Sequence, residues 1–520
     1  MPPTTVADVL RVNAAERPDG VSLVLDGRTI TWSALYERAR RVATALGAAG
    51  VGAGDRVAFL DKNGIEHFEV MFGATFCNAV PVDVNWRLAP PEIAYIVADS
   101  GAKVLVVGAG FAPVLAAIGD DLAADVRVIV IGEHSVHESY EAWLATHDDI
   151  DPHAASGPLD TALQLYSSGT TGRPKGVMLS NHNVLALLPA AVDMWGFSER
   201  SVNLVAMPLF HIGGSGWALV GMYVGARSVI LRDLDPAALV ALIGSERITH
   251  AFLVPAVLQF MLMVPGADDA DYSSLENIVY GASPISDDVL SRSMAQLGCA
   301  FWQVYGLTET TGGIVNLPPA DHDLTGPNRH RLRSCGRPGP GVEVRIVAPD
   351  TGADADTGGV GEIWVRGPQV MQGYWNNPAA TADVIDAEGW FRTGDAGYLD
   401  ADGYIYIHDR VKDMIVTGGE NVYPAEVENA LMKHPAVADV AVIGVPDAKW
   451  GEAVKAIVVK AEGTDPTEAE LITFAREHLA GFKLPKSVDF AEVLPRNPSG
   501  KLLKRELREP YWAGVERRIG

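Results

Sequence analysis

Short apolar runs that alternate with amphipathic helical segments constrain the fold of this 520-residue chain more than any other feature. The strand-like runs of the first part are 56–60, 103–107, 126–131 and 227–231. Apolar residues also recur at helical spacing between Leu35 and Leu46, with charged residues on the other face. Such alternation is typical of layered α/β structures with largely parallel sheets. We therefore predict an α/β fold for roughly the first 300 residues.

The pattern changes after about residue 335, where short strands are separated by Gly/Asp turns. These strands, at 342–347, 361–365 and 403–407, predict a small β-rich subdomain that ends the large N-terminal part. A helix at 425–432 and strands at 440–445 and 453–459 then predict a compact α+β domain. Since single cores stop growing near ~250–300 residues, we expect two domains, at 1–409 and 413–520, joined by a hinge at 410–412.

Composition favours a globular enzyme, with 48% hydrophobic and 20% charged residues. A formal net charge of −24 argues against nucleic acid as a partner, because phosphate backbones require a basic surface. The three cysteines form no CxxC pair, and their low, odd number suits a reducing cytoplasm. The N-terminus lacks the pattern of a signal peptide, so a cytoplasmic location is expected.

The sequence predicts no transmembrane segment. The uncharged stretch 201–226 is long enough to raise the question, but we expect the segment Met207–Gly216 within it to break any helix. Peripheral contact with the inner face of a membrane stays open, and the oligomeric state, including a homodimer, is not readable.

The segment Tyr166–Gly176, YSSGTTGRPKG, has the composition of a loop that wraps a polyphosphate. Its glycines allow backbone N–H groups to turn toward an anion, while hydroxyls and a lysine add donors and charge. It is not a Walker loop, because Pro174 precedes the lysine and Gly176 follows it. A polar surface turn is the alternative. The candidate phosphate ligands are Ser167, Ser168, Gly169, Thr170, Thr171, Gly172 and Lys175.

A second motif is QVYGLTET at 303–310. Tyr305 offers a flat face to a purine, Thr308 offers a hydroxyl to a phosphate, and Glu309 offers a hard oxygen ligand to Mg²⁺. The alternative is that Glu309 merely stabilises a helix N-terminus. Further motifs are YGASP at 280–284, GWFRTGD at 389–395, DRVKDMI at 409–415 with GGENVYP at 418–424, and PRNPSGK at 495–501.

Taken together and in this order, from about residue 20 to 508, these motifs resemble those of the adenylate-forming enzymes. That family comprises acyl-CoA synthetases, firefly-type luciferases and the adenylation domains of peptide synthetases; the nearest likeness is to bacterial fatty-acid–CoA ligases. The resemblance implies that ATP, Mg²⁺ and coenzyme A are used. It places adenine beside Gly281, Ala282, Tyr305 and Gly306, and ribose beside Asp395 and Arg410.

The same resemblance assigns three roles to the C-terminal part. Lys412 is the hinge about which the C-terminal domain rotates. Gly418 and Gly419 line the tunnel for the pantetheine arm of CoA. Lys501 bridges the substrate carboxylate and the α-phosphate during adenylation, which is the work of a preorganised electrostatic clamp. From the residues alone, a solvated lysine near a basic tail is the alternative for Lys501.

The segment Pro208–Gly214, PLFHIGG, resembles the acyl-CoA synthetase version of the substrate segment, in which His211 lies beside the carboxylate. Since no charged residue occurs between Arg200 and Arg227, we expect an apolar acyl or aryl chain. Small residues are expected to leave room for its tail: Gly213, Gly214, Gly216, Gly312 and Gly313. No carrier domain follows Lys501, so diffusible CoA is the expected acceptor.

The sequence therefore predicts an ATP-dependent carboxylate–CoA ligase that forms acyl-AMP and then acyl-CoA, on medium- to long-chain fatty acids. Aryl or steroid-side-chain acids are the second choice of substrate. A luciferase-like oxygenase and a non-catalytic acyl-binding protein are the alternatives from other classes.

Overall fold

The computed structural model describes residues 2–168, 173–283, 285–348, 351–410, 413–417, 420–447, 449–496 and 502–513. The chain divides into two compact units. The first unit is Met1–Glu343 with Val365–Phe391, and the second is Val344–Trp364 with Arg392–Gly520. The short strands after residue 343 therefore group largely with the C-terminal residues, while the predicted hinge at 410–412 stays a prediction.

Both helices and strands occur throughout, as the predicted α/β class requires. The described helices are α1 Val6–Glu16, α2 Trp32–Ala48, α3 Ile65–Phe76, α4 Pro90–Ser100, α5 Ala112–Ile118, α6 Tyr140–Ala145, α7 Asn181–Trp195, α8 Ile212–Tyr223, α9 Pro236–Ser245, α10 Pro255–Leu262, α11 Asp287–Leu297, α12 Pro378–Val384, α13 Pro424–Leu431, α14 Glu468–Arg476 and α15 Lys504–Trp512.

The described strands are β1 Val21–Leu25, β2 Arg28–Thr31, β3 Arg56–Leu60, β4 Val80–Asp83, β5 Ala102–Gly108, β6 Arg127–Ile131, β7 Glu138–Ser139, β8 Thr161–Ser168, β9 Pro174–Ser180, β10 Val202–Val205, β11 Arg227–Ile230, β12 His250–Leu253, β13 Asn277–Gly281, β14 Ala300–Leu307, β15 Gly312–Leu317, β16 Arg337–Pro338, β17 Glu343–Val347, β18 Gly361–Arg366, β19 Gly373–Tyr374, β20 Phe391–Leu399, β21 Ile405–Arg410, β22 Ile415–Thr417, β23 Glu420–Val422, β24 Val437–Asp447, β25 Gly451–Lys460 and β26 Ser487–Ala491.

Two sheets form the first unit. One has the order β19-β9-β8-β4-β3-β5-β6-β7, and the other β16-β15-β14-β13-β12-β10-β11-β1-β2. The inner strands β3, β4, β5 and β8 are parallel, as are β10, β12, β13 and β14. Because parallel strands present their carboxyl ends at one edge, the segments that follow β8 and β14 lie where a ligand is expected.

In the second unit, a five-stranded sheet has the order β23-β22-β25-β24, with β26 paired to β25. Most residues of a further four-stranded sheet, of order β17-β18-β20-β21, also belong to this unit. The helix and strands predicted for the C-terminal domain are confirmed as α13, β24 and β25.

Helix α2 shows how the sequence specifies these elements. Thr31 caps its N-terminus by accepting a hydrogen bond from the Ala34 N–H, at 3.2 Å. The apolar face predicted from Leu35 to Leu46 is buried in the large hydrophobic core of the first unit. The helix is therefore held by its cap and by the burial of one face.

The structure overturns the expectation that Met207–Gly216 breaks any helix, since α8 begins at Ile212 and contains Gly213, Gly214 and Gly216. Close packing explains why glycines are tolerated there. A Cβ at Gly214 would lie 2.1 Å from the Pro208 carbonyl oxygen, and one at Gly213 2.9 Å from the Phe252 ring. These two glycines let α8 approach its neighbours, so they do not open room for a substrate tail.

Candidate active site

The hairpin of β8 and β9 carries the predicted phosphate loop. Ser167 stands opposite Lys175 in the antiparallel register, and Tyr166 stands opposite Gly176. The buried strand predicted before the loop is confirmed. Gly169, Thr170, Thr171, Gly172 and the side chain of Ser168 lie outside the described part of the structure, so their phosphate contacts stay predictions.

Glu309 receives two hydroxyl groups on one carboxylate oxygen. Ser167 Oγ donates to its Oε1 at 2.8 Å, and Tyr374 OH donates to the same atom at 3.0 Å. The residue is 8% exposed and lies in a short 3-10 turn, Thr308–Thr310, directly after β14. Two motifs that are separate in the sequence therefore meet at this carboxylate.

This carboxylate fits a divalent cation. Among the residues that the structure describes, no lysine or arginine forms an ion pair with Glu309, and its partners are neutral hydroxyls. An anionic oxygen held in this way is the type of ligand that Mg²⁺ takes together with substrate phosphates and water. In the described ranges, no group of three or more His, Cys, Asp or Glu side chains is arranged to bind a metal, so the other ligands of such a cation would have to be phosphates and water.

Tyr374 is a site residue that the sequence did not reveal. Besides its bond to Glu309, its ring lies 4.8 Å from Lys175 Nζ, a cation–π distance. Strand β19 places it there by pairing antiparallel with β9, with Tyr374 opposite Val177. Since Tyr374 is 65 residues from Glu309 in the sequence and belongs to none of the recognised motifs, only the sheet topology brings them together.

The residues predicted to lie beside adenine are at neighbouring strand ends. Parallel pairing sets Gly281 of β13 opposite Val304 of β14, one residue before Tyr305. A Cβ at Gly281 would lie 2.2 Å from the Val304 carbonyl oxygen, and one at Gly306 1.8 Å from that of Gly312. Glycine is therefore required at both positions for the backbones to approach.

Ala282 leaves β13 with φ = +66°, in the left-handed region. Such a conformation is uncommon for a residue with a Cβ and occurs often at ligand sites. Ala282 and the half-buried Tyr305 lie at the ends of β13 and β14, where the sequence predicts the adenine site.

His211 precedes α8 as its N-cap residue and is partly buried. Its ring centroid lies 4.5 Å from that of Phe210, and Phe210 lies 6.3 Å from Trp86. Burial, reinforced by the positive charge of Arg87, lowers the pKa of His211 to about 4. The imidazole is therefore neutral at pH 7, in surroundings of aromatic rings.

In the second unit, Asp395 lies in β20 and is 5% exposed. Gly394 before it has φ = +71°, and Asp395 N–H donates to Thr393 Oγ1 at 3.1 Å. In the backbone register of β20 and β21, Asp395 stands directly opposite Arg410, the other predicted ribose ligand. The side chain of Arg410 lies outside the described part.

The remaining predicted residues also lie outside the described part: Lys412, Gly418, Gly419 and Lys501. The residues that flank the lysine turn are described, and Arg496 pairs with Leu502 in an antiparallel bridge. Leu503 N–H also donates to the Pro495 carbonyl at 2.9 Å.

In the ranges that the structure describes, no helix has the length and hydrophobicity needed to cross a bilayer.

The hairpin that bears Ser167 and Lys175, the buried Glu309 carboxylate and the glycine-lined ends of β13 and β14 all lie in the part of the chain that one family model matches. The family model described as AMP-binding enzyme matches residues 10–375, and the one described as AMP-binding enzyme C-terminal domain matches residues 426–501. The chain therefore belongs to the AMP-binding, adenylate-forming enzymes, and it is an AMP-forming ligase.

Similar proteins support this conclusion over the whole chain. A fatty acid–[acyl-carrier-protein] ligase, ScoC, of Streptomyces coeruleorubidus is 41% identical over 520 residues, covering 99% of this chain and 98% of the relative. A feruloyl-CoA synthase of an Amycolatopsis species is 39% identical, covering 95% and 96%. The solved fatty acyl CoA synthetase of Mycobacterium tuberculosis matches with a TM-score of 0.80 at 35% identity, covering 99% of each chain.

Proposed function

We propose that this chain activates a medium- to long-chain fatty acid as its acyl adenylate and transfers the acyl group to the thiol of CoA. ATP and CoA are substrates of enzymes in this family. The observation that carries the proposal is the meeting of Ser167, Lys175 and Glu309 around Tyr374. It joins a phosphate-binding hairpin to a carboxylate suited to Mg²⁺.

In the first half-reaction, Thr170, Thr171 and Lys175 are proposed to hold the β- and γ-phosphates, the part that leaves as pyrophosphate. Glu309 would hold Mg²⁺, which when bound neutralises charge on the phosphates. Glu309 keeps its carboxylate in place through the two hydroxyl donors.

Tyr305 and the edge at Gly281 hold the base, and Asp395 and Arg410 hold the ribose. Positioning and electrostatics account for this catalysis, since AMP itself is the activating group.

His211 is proposed to lie beside the substrate carboxylate. Because its pKa is lowered to about 4, it presents a neutral imidazole at pH 7. A neutral ring among Phe210 and Trp86 suits an apolar acyl chain better than a second carboxylate, which would call for a cation. This reasoning favours monocarboxylic acids with an apolar tail.

In the second half-reaction, rotation about Lys412 is proposed to replace Lys501 by the tunnel at Gly418 and Gly419. The thiolate sulfur of CoA then attacks the acyl carbonyl carbon, and the bond to AMP breaks, releasing AMP. Lys501 belongs to the first half-reaction alone. We therefore expect Lys501→Ala to abolish acid-dependent ATP–pyrophosphate exchange, while thioester formation from supplied acyl-AMP largely survives. Equal loss of both half-reactions would refute this role.

The direct test is a panel of carboxylic acids with ATP, Mg²⁺ and CoA, followed by mass spectrometry of the thioester products. We expect the highest kcat/KM for saturated fatty acids. Higher values for aryl acids such as ferulate would favour the second substrate class, to which the 39% identical feruloyl-CoA synthase points. Absence of pyrophosphate release with every acid would refute the proposal.

A second candidate acceptor is favoured by one observation. The 41% identical relative is named for transfer to an acyl carrier protein. The same panel should therefore include a phosphopantetheinylated carrier protein beside CoA, at equal thiol concentration. A kcat/KM at least tenfold higher for the carrier protein would replace CoA as the acceptor and leave the adenylation proposal intact.

A further inference from the structure

The β8–β9 hairpin contacts Glu309 with one face, and its opposite face also forms polar contacts. Successive side chains of a strand point to opposite sides. Ser167 and its register partner Lys175 therefore lie on the face toward Glu309, while Tyr166 lies on the other. There Tyr166 OH donates to Asp99 Oδ2 at 2.7 Å. Asp99 belongs to α4, so this bond fixes β8 to a helix of the layer outside the sheet.

Asp99 holds the second strand of the hairpin as well. Its backbone carbonyl accepts a hydrogen bond from Trp375 Nε1 at 3.0 Å. The backbone N–H of Trp375 in turn donates to the Gly176 carbonyl of β9, at 2.7 Å. The Arg56 guanidinium lies 3.3 Å from the centroid of the Trp375 ring and covers it. One residue, Asp99, is therefore connected to β8 by its side chain and to β9 by its backbone.

Packing leaves the Tyr166 ring little freedom. A Cβ at Gly176, opposite Tyr166, would lie 2.6 Å from Gln164 Nε2 and 3.2 Å from Tyr166 Cζ, so the ring fills the space that a side chain would need. Gln164 is fully buried and donates to Tyr166 OH at 3.4 Å. The hydroxyl is therefore presented to Asp99 in one position.

We propose that Asp99 and Tyr166 are positioning residues for adenylation: their hydrogen bond fixes the hairpin so that Ser167 and Lys175, on its opposite face, meet Glu309 and the phosphates of ATP. The proposal rests on the proposed function. Its physical basis is that a strand is a thin, stiff element, so a shift on one face displaces the groups on the other, and small displacements of a catalytic group are costly.

Tyr166→Phe tests the proposal, because it removes one oxygen atom and keeps the ring. We expect the KM for ATP in pyrophosphate exchange to rise about tenfold, in line with the loss of one hydrogen bond. Thioester formation from supplied acyl-AMP and CoA should stay within about twofold of wild type. Asp99→Ala should likewise raise the KM for ATP and spare thioester formation. The double variant should be no worse than Asp99→Ala, because both changes remove the hydrogen bond between Tyr166 and Asp99.

Tyr95→Phe is the matched control. Tyr95 OH donates to the other oxygen of the same carboxylate at 3.3 Å, but Tyr95 belongs to α4 and not to the hairpin. We expect it to leave the KM for ATP unchanged. An unchanged KM in Tyr166→Phe would overturn the proposal. So would a fall in melting temperature accompanied by equal losses in both half-reactions, which is the result of a purely structural role. Failure of the proposed function is distinguishable, since wild type would then show no pyrophosphate exchange at all.

Discussion

A buried histidine–aspartate pair predicts a loss of stability as the pH rises from 6.5 to about 8. His67 on α3 and Asp83 at the end of β4 have side chains only 3% and 4% exposed, with Nδ1 and Oδ1 3.4 Å apart. His67 Nε2 and Asp83 Oδ2 find no hydrogen-bond partner among the described residues. Burial raises the pKa of Asp83 to about 8 and lowers that of His67 to about 3. The folded pair is therefore a neutral acid beside a neutral imidazole at pH 7.

The sign of the pH dependence follows from counting protons. Between pH 3.8 and 6.5, the folded chain holds one proton on Asp83 and the unfolded chain holds one on His67. The pair therefore does not make the free energy of unfolding depend on pH in this range. Above pH 6.5, the unfolded chain has released both protons, whereas the folded chain keeps that of Asp83 until about pH 8. Stability therefore falls as pH rises through this window. At 1.36 kcal/mol per unit over ~1.5 units, the loss is about 2 kcal/mol.

Asp83→Asn keeps the shape and cannot titrate, so it should remove this slope. We would compare urea unfolding of wild type and variant at pH 6.5, 7.2 and 8.0, following the transition of the first unit, because a chain of two compact units need not unfold in one step. The wild-type midpoint should fall relative to that of the variant as pH rises. Asp125→Asn, at an exposed position, is the control and should parallel wild type. Parallel curves for Asp83→Asn and wild type would refute the reasoning.

Three further changes test the site. Glu309→Gln keeps an oxygen that accepts from both hydroxyls but removes the charge. Pyrophosphate exchange should therefore fall about 10²–10³-fold and need more Mg²⁺ for its half-maximal rate. An unchanged Mg²⁺ requirement would contradict the proposed role of Glu309 as a Mg²⁺ ligand. Gly306→Ala puts a Cβ 1.8 Å from a backbone oxygen of the neighbouring strand, so adenylation should be lost. Gly47→Ala on α2 is the control, because no atom lies within 4 Å of the added Cβ, and it should leave adenylation intact. Lys412→Pro should impair thioester formation far more than adenylation, and earlier failure of acyl-AMP formation would refute the hinge.

The elements with a regular pattern were predictable from the sequence. Strands β3, β5 and β6 follow from short apolar runs, and α2 follows from one apolar stripe. The motifs of the phosphate hairpin and of Glu309 were recognised in the sequence, but their contact was not predicted, because it depends on how two separate sheets pack together. The family membership that these motifs implied is confirmed by the family models.

The features that the sequence did not predict were missed for physical reasons. Helix α8 was missed because intrinsic propensity penalises Gly213 and Gly214, whereas the structure uses their lack of a Cβ to pack the helix closely. Tyr374 was missed because its role depends on the pairing of β19 with β9, a long-range contact without a local signal. The pairing of His67 with Asp83 was missed for the same reason, since each looks ordinary in its own segment.

The hydrogen bonds of Glu309 explain why the site needs the whole first unit. Ser167 lies in β8 of the eight-stranded sheet, and Glu309 lies directly after β14 of the nine-stranded sheet. Their 2.8 Å hydrogen bond therefore joins the two sheets. Tyr374 reaches the same oxygen from β19, and Met371 N–H near that strand donates to the Glu309 carbonyl at 2.8 Å. A buried carboxylate is costly unless hydrogen-bonded, so the two hydroxyl donors offset part of the cost of burying Glu309. The carboxylate has both hydroxyl donors only after the two sheets have assembled, so the proposed cation site depends on the packing of the core.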